Sequence, residues 1–314
     1  MEQNPSDSLN QELMRAPLKA SLSENLDALK SLMNAALNKD LIIREFKCAG
    51  FDCALLYMEG MADTRSINDY VLEPCLREED HPDWPESERL ERLKNEVLAV
   101  GDAQVNEFFY LAVEDILNGK TAVLCEGSPF ALGLETRGYE KRPVGKTINE
   151  SVVLGPHEGF VENLRTNITL MRRIVRSPML VSEMIKVGKE LPTQISMLYL
   201  KGVVDPAILE EMRRRLKGLN VNNVPGSGYL QQLIEDQPFA LFPQILQTER
   251  PDRAASMLSD GQIVLLCDGS PFALVAPLCA GNTEAFCALS ACWGCLSRCF
   301  CPGCISPLPN ITRI

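Results

Sequence analysis

Apolar residues along this chain follow two different periods. Between positions 21 and 37, Leu22, Leu26, Leu29, Met33 and Leu37 recur every three or four residues, the spacing of one buried helix face. Ser21 and Glu24 resemble a capping box at its start. Residues 41–46 and 54–58 are short apolar runs that predict strands. Glu59-Gly60 turns the chain, and Asp63 caps a helix reaching about residue 76. An acidic, proline-containing loop over 79–88 carries His81 and Trp84. A helix at 86–94, a strand near 97–100 and a helix over 104–117 are predicted next. Strands at 122–125 and 130–134 then flank Glu126-Gly-Ser-Pro129, a hairpin-type turn.

The second half repeats this order. LLYMEGMAD at 55–63 matches MLYLKGVVD at 197–205, and ILNGKTAVLCEGSPFAL from Ile116 matches MLSDGQIVLLCDGSPFAL from Met257. Tyr57 and Tyr199, Asp63 and Asp205, and Cys125 and Cys267 are each 142 residues apart. Two separate blocks at one offset identify a tandem duplication. In the second copy, strands are predicted at 184–187, 195–200, 263–267 and 272–275, with helices at 206–217, 229–234 and 251–258. Asp205 caps the first of these helices and Pro206 takes its first position.

Between the copies lies GPHEGFVENLRTNITLMRRIVR, residues 155–176. Phe160, Leu164, Ile168, Met171 and Val175 make an apolar face, so a helix is predicted from about Glu158. Glu158 and Glu162 near its start and Arg172, Arg173 and Arg176 at its end complement the helix dipole. Ser177-Pro178 stops it. The fold class expected is α/β: two tandemly duplicated mixed-sheet subdomains joined by a central helical connector. The expected division is 1–40 (polar N-terminus and amphipathic helix), 41–144 (first subdomain), 145–182 (connector), 183–278 (second subdomain) and 279–314 (a Cys-rich tail expected to be disordered).

Composition narrows the function. A net charge of −11 argues against nucleic-acid binding, which needs a basic footprint. Arg213, Arg214, Arg215 and Lys217 follow Glu210 and Glu211 and read as a solvated face, with an acidic lipid or partner as the alternative. Residues 1–20 lack a signal-peptide pattern, and Asp268 interrupts the longest apolar run, so no membrane span is expected in this chain. Cys48, Cys53, Cys75, Cys125 and Cys267 lie in apolar runs, as buried thiols of a reducing compartment do.

Catalytic motifs are weak. Six residues, one of them Pro143, separate Gly138 from Gly145, where a phosphate-binding loop has four. Ser128 and Ser270 sit in Gly-Ser-Pro turns, and the only histidines are His81 and His157. Turn chemistry explains those serines better than a nucleophile role. No cofactor is expected. Seven of the twelve cysteines fall in the tail. Cys292, Cys295, Cys301 and Cys304 have the spacing of zinc ligand pairs, but the five-residue gap between the pairs and Pro302 within the second favour a tail outside the fold.

GPHEGFVENLRTNITLMRRIVRSP, followed by LYLKGVVD, SGYLQQLIED, Phe242-Pro243-Gln244, QTERPD at 247–252 and DGSPFALVAP, resembles the A subunit of GerA-type spore germination proteins over residues 41–277. The resemblance implies the cytosolic N-terminal part of a germinant receptor subunit, at the cytoplasmic face of the spore inner membrane. It implies two α/β subdomains, and partnership with a transporter-like B subunit, a lipoprotein C subunit and further copies of itself. It implies no chemical reaction. Gly155, Pro156, Glu158, Gly159, Asn163, Asn167 and Arg172 match the family signature. Asn163, Asn167 and Gly159 share one helix face beside the apolar stripe, so this polar edge is expected to orient the lobes or to contact a neighbouring subunit. The chain departs from the family after Pro277, where a membrane region should begin, and truncation or a frameshift after about Leu278 is expected. One back-translation of 303–309 read two bases later gives Leu-Tyr-Ile-Ser-Leu, similar to a membrane-region motif of the family. The alternative function is a free-standing small-molecule binding module.

Overall fold

The structure is a computed structural model that describes residues 5–81, 83–138, 150, 158–235 and 244–278. Lobe one contains α1 (Pro5–Arg15), α2 (Leu22–Leu32), β1 (Leu41–Cys48), β2 (Phe51–Met58), α3 (Thr64–Ile67), a π turn (Asn68–Leu72) and α4 (Glu73–Arg77). It continues through α5 (Arg89–Arg92), a second π turn (Leu93–Val97), β3 (Ala103–Asn106), α6 (Phe109–Leu117), β4 (Thr121–Cys125) and β5 (Ala131–Leu134). Lobe two contains α7 (Leu164–Ile174), β6 (Leu180–Val187), β7 (Thr193–Leu200), α8 (Pro206–Gly218), α9 (Ser227–Ile234), β8 (Leu246–Thr248), α10 (Pro251–Ser259), β9 (Ile263–Cys267) and β10 (Ala273–Ala276).

The strand orders are β1-β2-β4-β5-β3 and β6-β7-β9-β10-β8, the same topology twice. The α/β class and the duplication therefore stand. Where a mixed sheet was expected, every described strand pair is antiparallel. Hairpins join β1 to β2 and β4 to β5, as they do β6 to β7 and β9 to β10. Long helical returns bring β4 and β9 back antiparallel beside β2 and β7, so neither lobe needs a parallel crossover.

Each sheet is covered on both faces, which is why its central strands read as unbroken apolar runs. In β2, Ala54, Leu56 and Met58 pack toward α2 and α6, while Cys53 and Leu55 pack toward Ile67, Leu90 and Leu93 on the other side. Lobe two repeats the division: Leu198 and Leu266 face Ile168, Met171 and Leu258, whereas Met197 and Leu265 face Ile208, Met212 and Leu230.

Three expected elements differ. Residues 103–106 form an edge strand on β5 rather than the start of a helix, because helix α6 begins only after Phe108, whose backbone is extended. Val97 ends a π turn instead of opening a strand, with the Leu98 N–H donating back to the Leu93 carbonyl at 3.0 Å. The expected connector helix starts at Leu164, not near Glu158. Asn163 is its N-cap, accepting from the Thr166 N–H at 3.1 Å.

That helix is also the counterpart of α2. Leu22 and Leu164 begin the two helices, 142 residues apart. Asn25 bonds the backbone of Lys19 through both its amide atoms, at 2.9 and 2.6 Å. Asn167 does the same to Val161, at 2.8 and 2.6 Å. The Leu22 N–H donates to Glu126, and the Leu164 N–H to Asp268. Over the described residues, the segment expected to join the lobes is thus the first helix of lobe two.

Candidate functional site at the junction between the lobes

The repeat offset changes between the first helix and the first hairpin of each lobe. Leu22 to Leu164 and Tyr57 to Tyr199 are 142 apart, but Ile42 and Val181, which oppose those tyrosines across their hairpins, are 139 apart. Lobe one has three extra residues between its first helix and first strand. Lobe two regains them in a longer turn between β6 and β7. The extra residues lie within 33–40, and this segment meets the other lobe.

Helix α2 stops at Met33, and Asn34 follows in the left-handed conformation (φ 51°) that asparagine tolerates. The Asn34 amide donates to the Pro178 carbonyl at 3.3 Å, and its oxygen accepts from Lys201 Nζ at 2.7 Å. Leu37 packs into the core of lobe two. The Asn38 oxygen accepts from the Ser182 N–H at 2.8 Å, while its amide donates to the Met33 carbonyl at 2.6 Å and the Leu180 carbonyl at 3.4 Å. One side chain thereby satisfies backbone groups on the open edge of β6, as a further strand would.

Arg172 completes the junction from α7. Only 2% of it is exposed. Its Nε and Nη2 donate to the two Asp40 carboxylate oxygens at 2.8 and 3.1 Å, Nη2 also to Asn38 Oδ1 at 3.0 Å, and Nη1 to the Leu180 carbonyl at 2.7 Å. A guanidinium paired bidentately in so dry a place is rigid. Removing one partner of a buried ion pair typically costs about 3–5 kcal/mol, because the other charge is left uncompensated. At the rim, Arg165 pairs with Glu59, and Arg176 Nη1 donates to Asn118 Oδ1 at 3.4 Å. Gly60 (φ 82°) lets the turn approach α7: a Cβ there would lie 2.4 Å from Thr169 Oγ1.

Of the five signature residues that are described, Arg172 is the one placed at this junction. Asn163 and Asn167, expected to orient the lobes, bond within lobe two as a helix cap and a clamp on Val161. The shared face exists, but the helix begins at Leu164 and folds those amides back onto their own chain. Glu158 pairs with Arg173 at 3.6 Å, and Gly159 is buried. Gly155 and Pro156 lie outside the described residues, as do His157, the 139–149 part of the loop after Gly138, and Cys292, Cys295, Cys301 and Cys304. Asn34, Asn38 and Asp40 escaped sequence reading. Asn34, a residue that favours a helix C-terminus, was the available signal.

The arginines of the basic cluster on α8 are paired: Arg213 with Glu183 and Glu210, and Arg214 and Arg215 with Glu211. Among the described residues no helix is long and apolar enough to cross a membrane, and no three potential metal ligands converge.

Comparison with known proteins accounts for this architecture. The family described as Bacillus/Clostridium GerA spore germination protein matches residues 27–283. Spore germination protein KA of Bacillus subtilis is 30% identical over 82% of this chain and 47% of its own length. Spore germination protein B1 of the same organism is 32% identical over 82% of this chain and 53% of its own. The chain thus spans about half the length of these curated relatives. The crystal structure of the N-terminal domain of the A subunit of the Bacillus megaterium spore germinant receptor GerK3 superposes with a TM-score of 0.66 at 28% identity, covering 86% of this chain and 99% of that one. The two-lobe fold and the match over most of the chain lead to one conclusion: this protein belongs to the GerA family of spore germination proteins.

Proposed function

We propose that this chain serves as the non-catalytic domain of a germinant receptor A-type subunit, on the cytoplasmic side of the spore inner membrane. In this role it works beside a transporter-like B subunit and a lipoprotein C subunit. The buried Arg172–Asp40–Asn38 junction is the observation that carries the reading. It ties the two lobes together through a buried ion pair, which suits a part that passes on a change of state rather than one that performs chemistry. Of the side chains a hydrolase could use, Ser270 Oγ lies 2.7 Å from Ser227 Oγ, His81 stacks on Trp84 and bonds Glu78, and Ser128 Oγ is buried without a hydrogen-bond partner.

The test is made in spores carrying a full-length receptor with this domain. Arg172→Met should reduce nutrient-triggered germination, with B- and C-subunit levels falling if assembly is what fails. Germination at the wild-type rate with normal subunit levels would overturn the proposal.

A further inference from the structure

Lobe one buries four thiols in one core, Cys48, Cys53, Cys75 and Cys125, where lobe two has Cys267. We propose that Cys53 and Cys125 form a peroxide-oxidisable dithiol, with Cys125 the sulfur that peroxide oxidises and Cys53 the sulfur that resolves it.

Strand register sets the geometry. Cys53 of β2 lies directly opposite Cys125 of β4. One residue further out, the Glu126 N–H donates to the Asp52 carbonyl at 2.9 Å. Asp52–Glu126 is therefore a hydrogen-bonded pair, and Cys53–Cys125 is the non-hydrogen-bonded pair beside it. In such pairs the Cα atoms stand about 4.5 Å apart and the side chains approach most closely. Disulfides accept Cα separations of about 4.4–6.8 Å. Both cysteines are 1% exposed, so packing fixes where their sulfurs point.

The surroundings distinguish the two sulfurs. Arg89 lies with its guanidinium carbon 3.9 Å from the centre of the Phe51 ring, and its Nη1 donates to the Glu126 carbonyl at 3.1 Å. Its Nε is buried without an acceptor. A cation with a spare donor thus sits beside the backbone that follows Cys125. The Cys53 thiol facing it, against burial and with the Arg89 charge assisting, holds the Cys125 thiol below its ordinary value, and the Cys125 thiol itself donates to the Glu126 carbonyl at 3.7 Å. The Cys125 sulfur and burial push Cys53 far up, so it keeps its proton. The duplication supplies a control. Cys267 occupies the same position in β9 but faces Ile195, and burial pushes its thiol up to about 11.

The chemistry balances without a cofactor. The Cys125 thiolate attacks hydrogen peroxide, forming an S–O bond and releasing hydroxide, which takes up the proton Cys125 gave on ionising. The Cys53 thiol then displaces water from the Cys125 sulfenic acid as the S–S bond forms. Two thiols lose two electrons, and one peroxide becomes two waters. The pair lies at the end of β4, two residues before the turn at Gly127, and a transient opening of that strand end is the step that would admit a molecule little larger than water.

The full chain is treated with graded hydrogen peroxide while folded, alkylated under denaturing conditions, and mapped by mass spectrometry without reduction. The expected result is a peptide linked through Cys53 and Cys125 at doses that leave Cys267 a free thiol. Arg89→Met should slow its formation, because the Cys125 thiolate loses its nearby cation. In Cys53→Ser, Cys125 should instead accumulate as a sulfenic acid that dimedone traps. Oxidation of Cys125 no faster than Cys267, or its linkage to any other cysteine, overturns the proposal. Should Cys53→Ser fail to fold, the wild-type map and the Arg89→Met rate decide the question.

Discussion

Lobe one takes residues 33–40 to pass from its first helix to its first strand, whereas lobe two makes the same step with residues 175–179. The longer path supplies Asn34, Asn38 and Asp40, which hold lobe two. Elsewhere the lobes keep the same strand order and the same asparagine clamps, but their cores have diverged. Asp115 Oδ2 accepts from Asn106 at 2.6 Å, and Gly133 leaves it room, since a Cβ there would lie 1.8 Å from that oxygen. At the offset of 142, lobe two has Met257 and Val275 in place of Asp115 and Gly133. Duplication thus preserved what folds each lobe and changed what each lobe does with its core and edges. A three-residue difference was enough to turn a connection into a docking device.

The strongest test of the equivalence uses the two clamps. Asn25→Ala and Asn167→Ala each leave a backbone N–H and a carbonyl without their partner. Each should therefore cost about 1–3 kcal/mol in chemical denaturation. The repeat predicts losses of similar size. A large loss from one and none from the other would show that the clamps are alike in shape but not in weight.

A smaller effect separates the lobes by pH. Burial works against the charge on Glu183, but hydrogen bonds from Arg213 and Tyr199 outweigh it and hold the carboxyl below its usual range. At the matching position of lobe one stands Arg44. Because the folded value is depressed, the stabilisation is complete above the unfolded carboxyl range near pH ~4.3 and is lost as pH falls through the folded value. Allowing for solvent screening, it amounts to less than about 1 kcal/mol. Urea denaturation of the wild type and Glu183→Gln should differ more at pH 7 than at pH 3. An equal difference at both would remove Glu183 as the source.

How legible these features were depended on how many residues carried them. The duplication was visible because long blocks around Tyr57 and Cys125 recur at one offset. The kinship of α2 and α7 was not. LSENLDALKSL and LRTNITLMRRI share only Leu22/Leu164 and Asn25/Asn167 at identical positions, and a helix face needs only apolar spacing, not identity. Short edge strand β3 was lost for a related reason: four residues with one buried side chain carry little periodicity. Arg172 could be picked out as a signature residue, but its partners are 132 and 134 positions away, and only the fold brings them together.

The central claim is that Arg172 fixes the two lobes in one arrangement, and an interlobe distance tests it directly. Spin labels carried on noncanonical residues at exposed Tyr110 and Tyr229, which leave the native thiols untouched, span the two lobes. Double electron–electron resonance should give one narrow distance distribution in the wild type and a broad one in Arg172→Met, with each lobe still folded. An equally narrow distribution in both proteins would contradict the account.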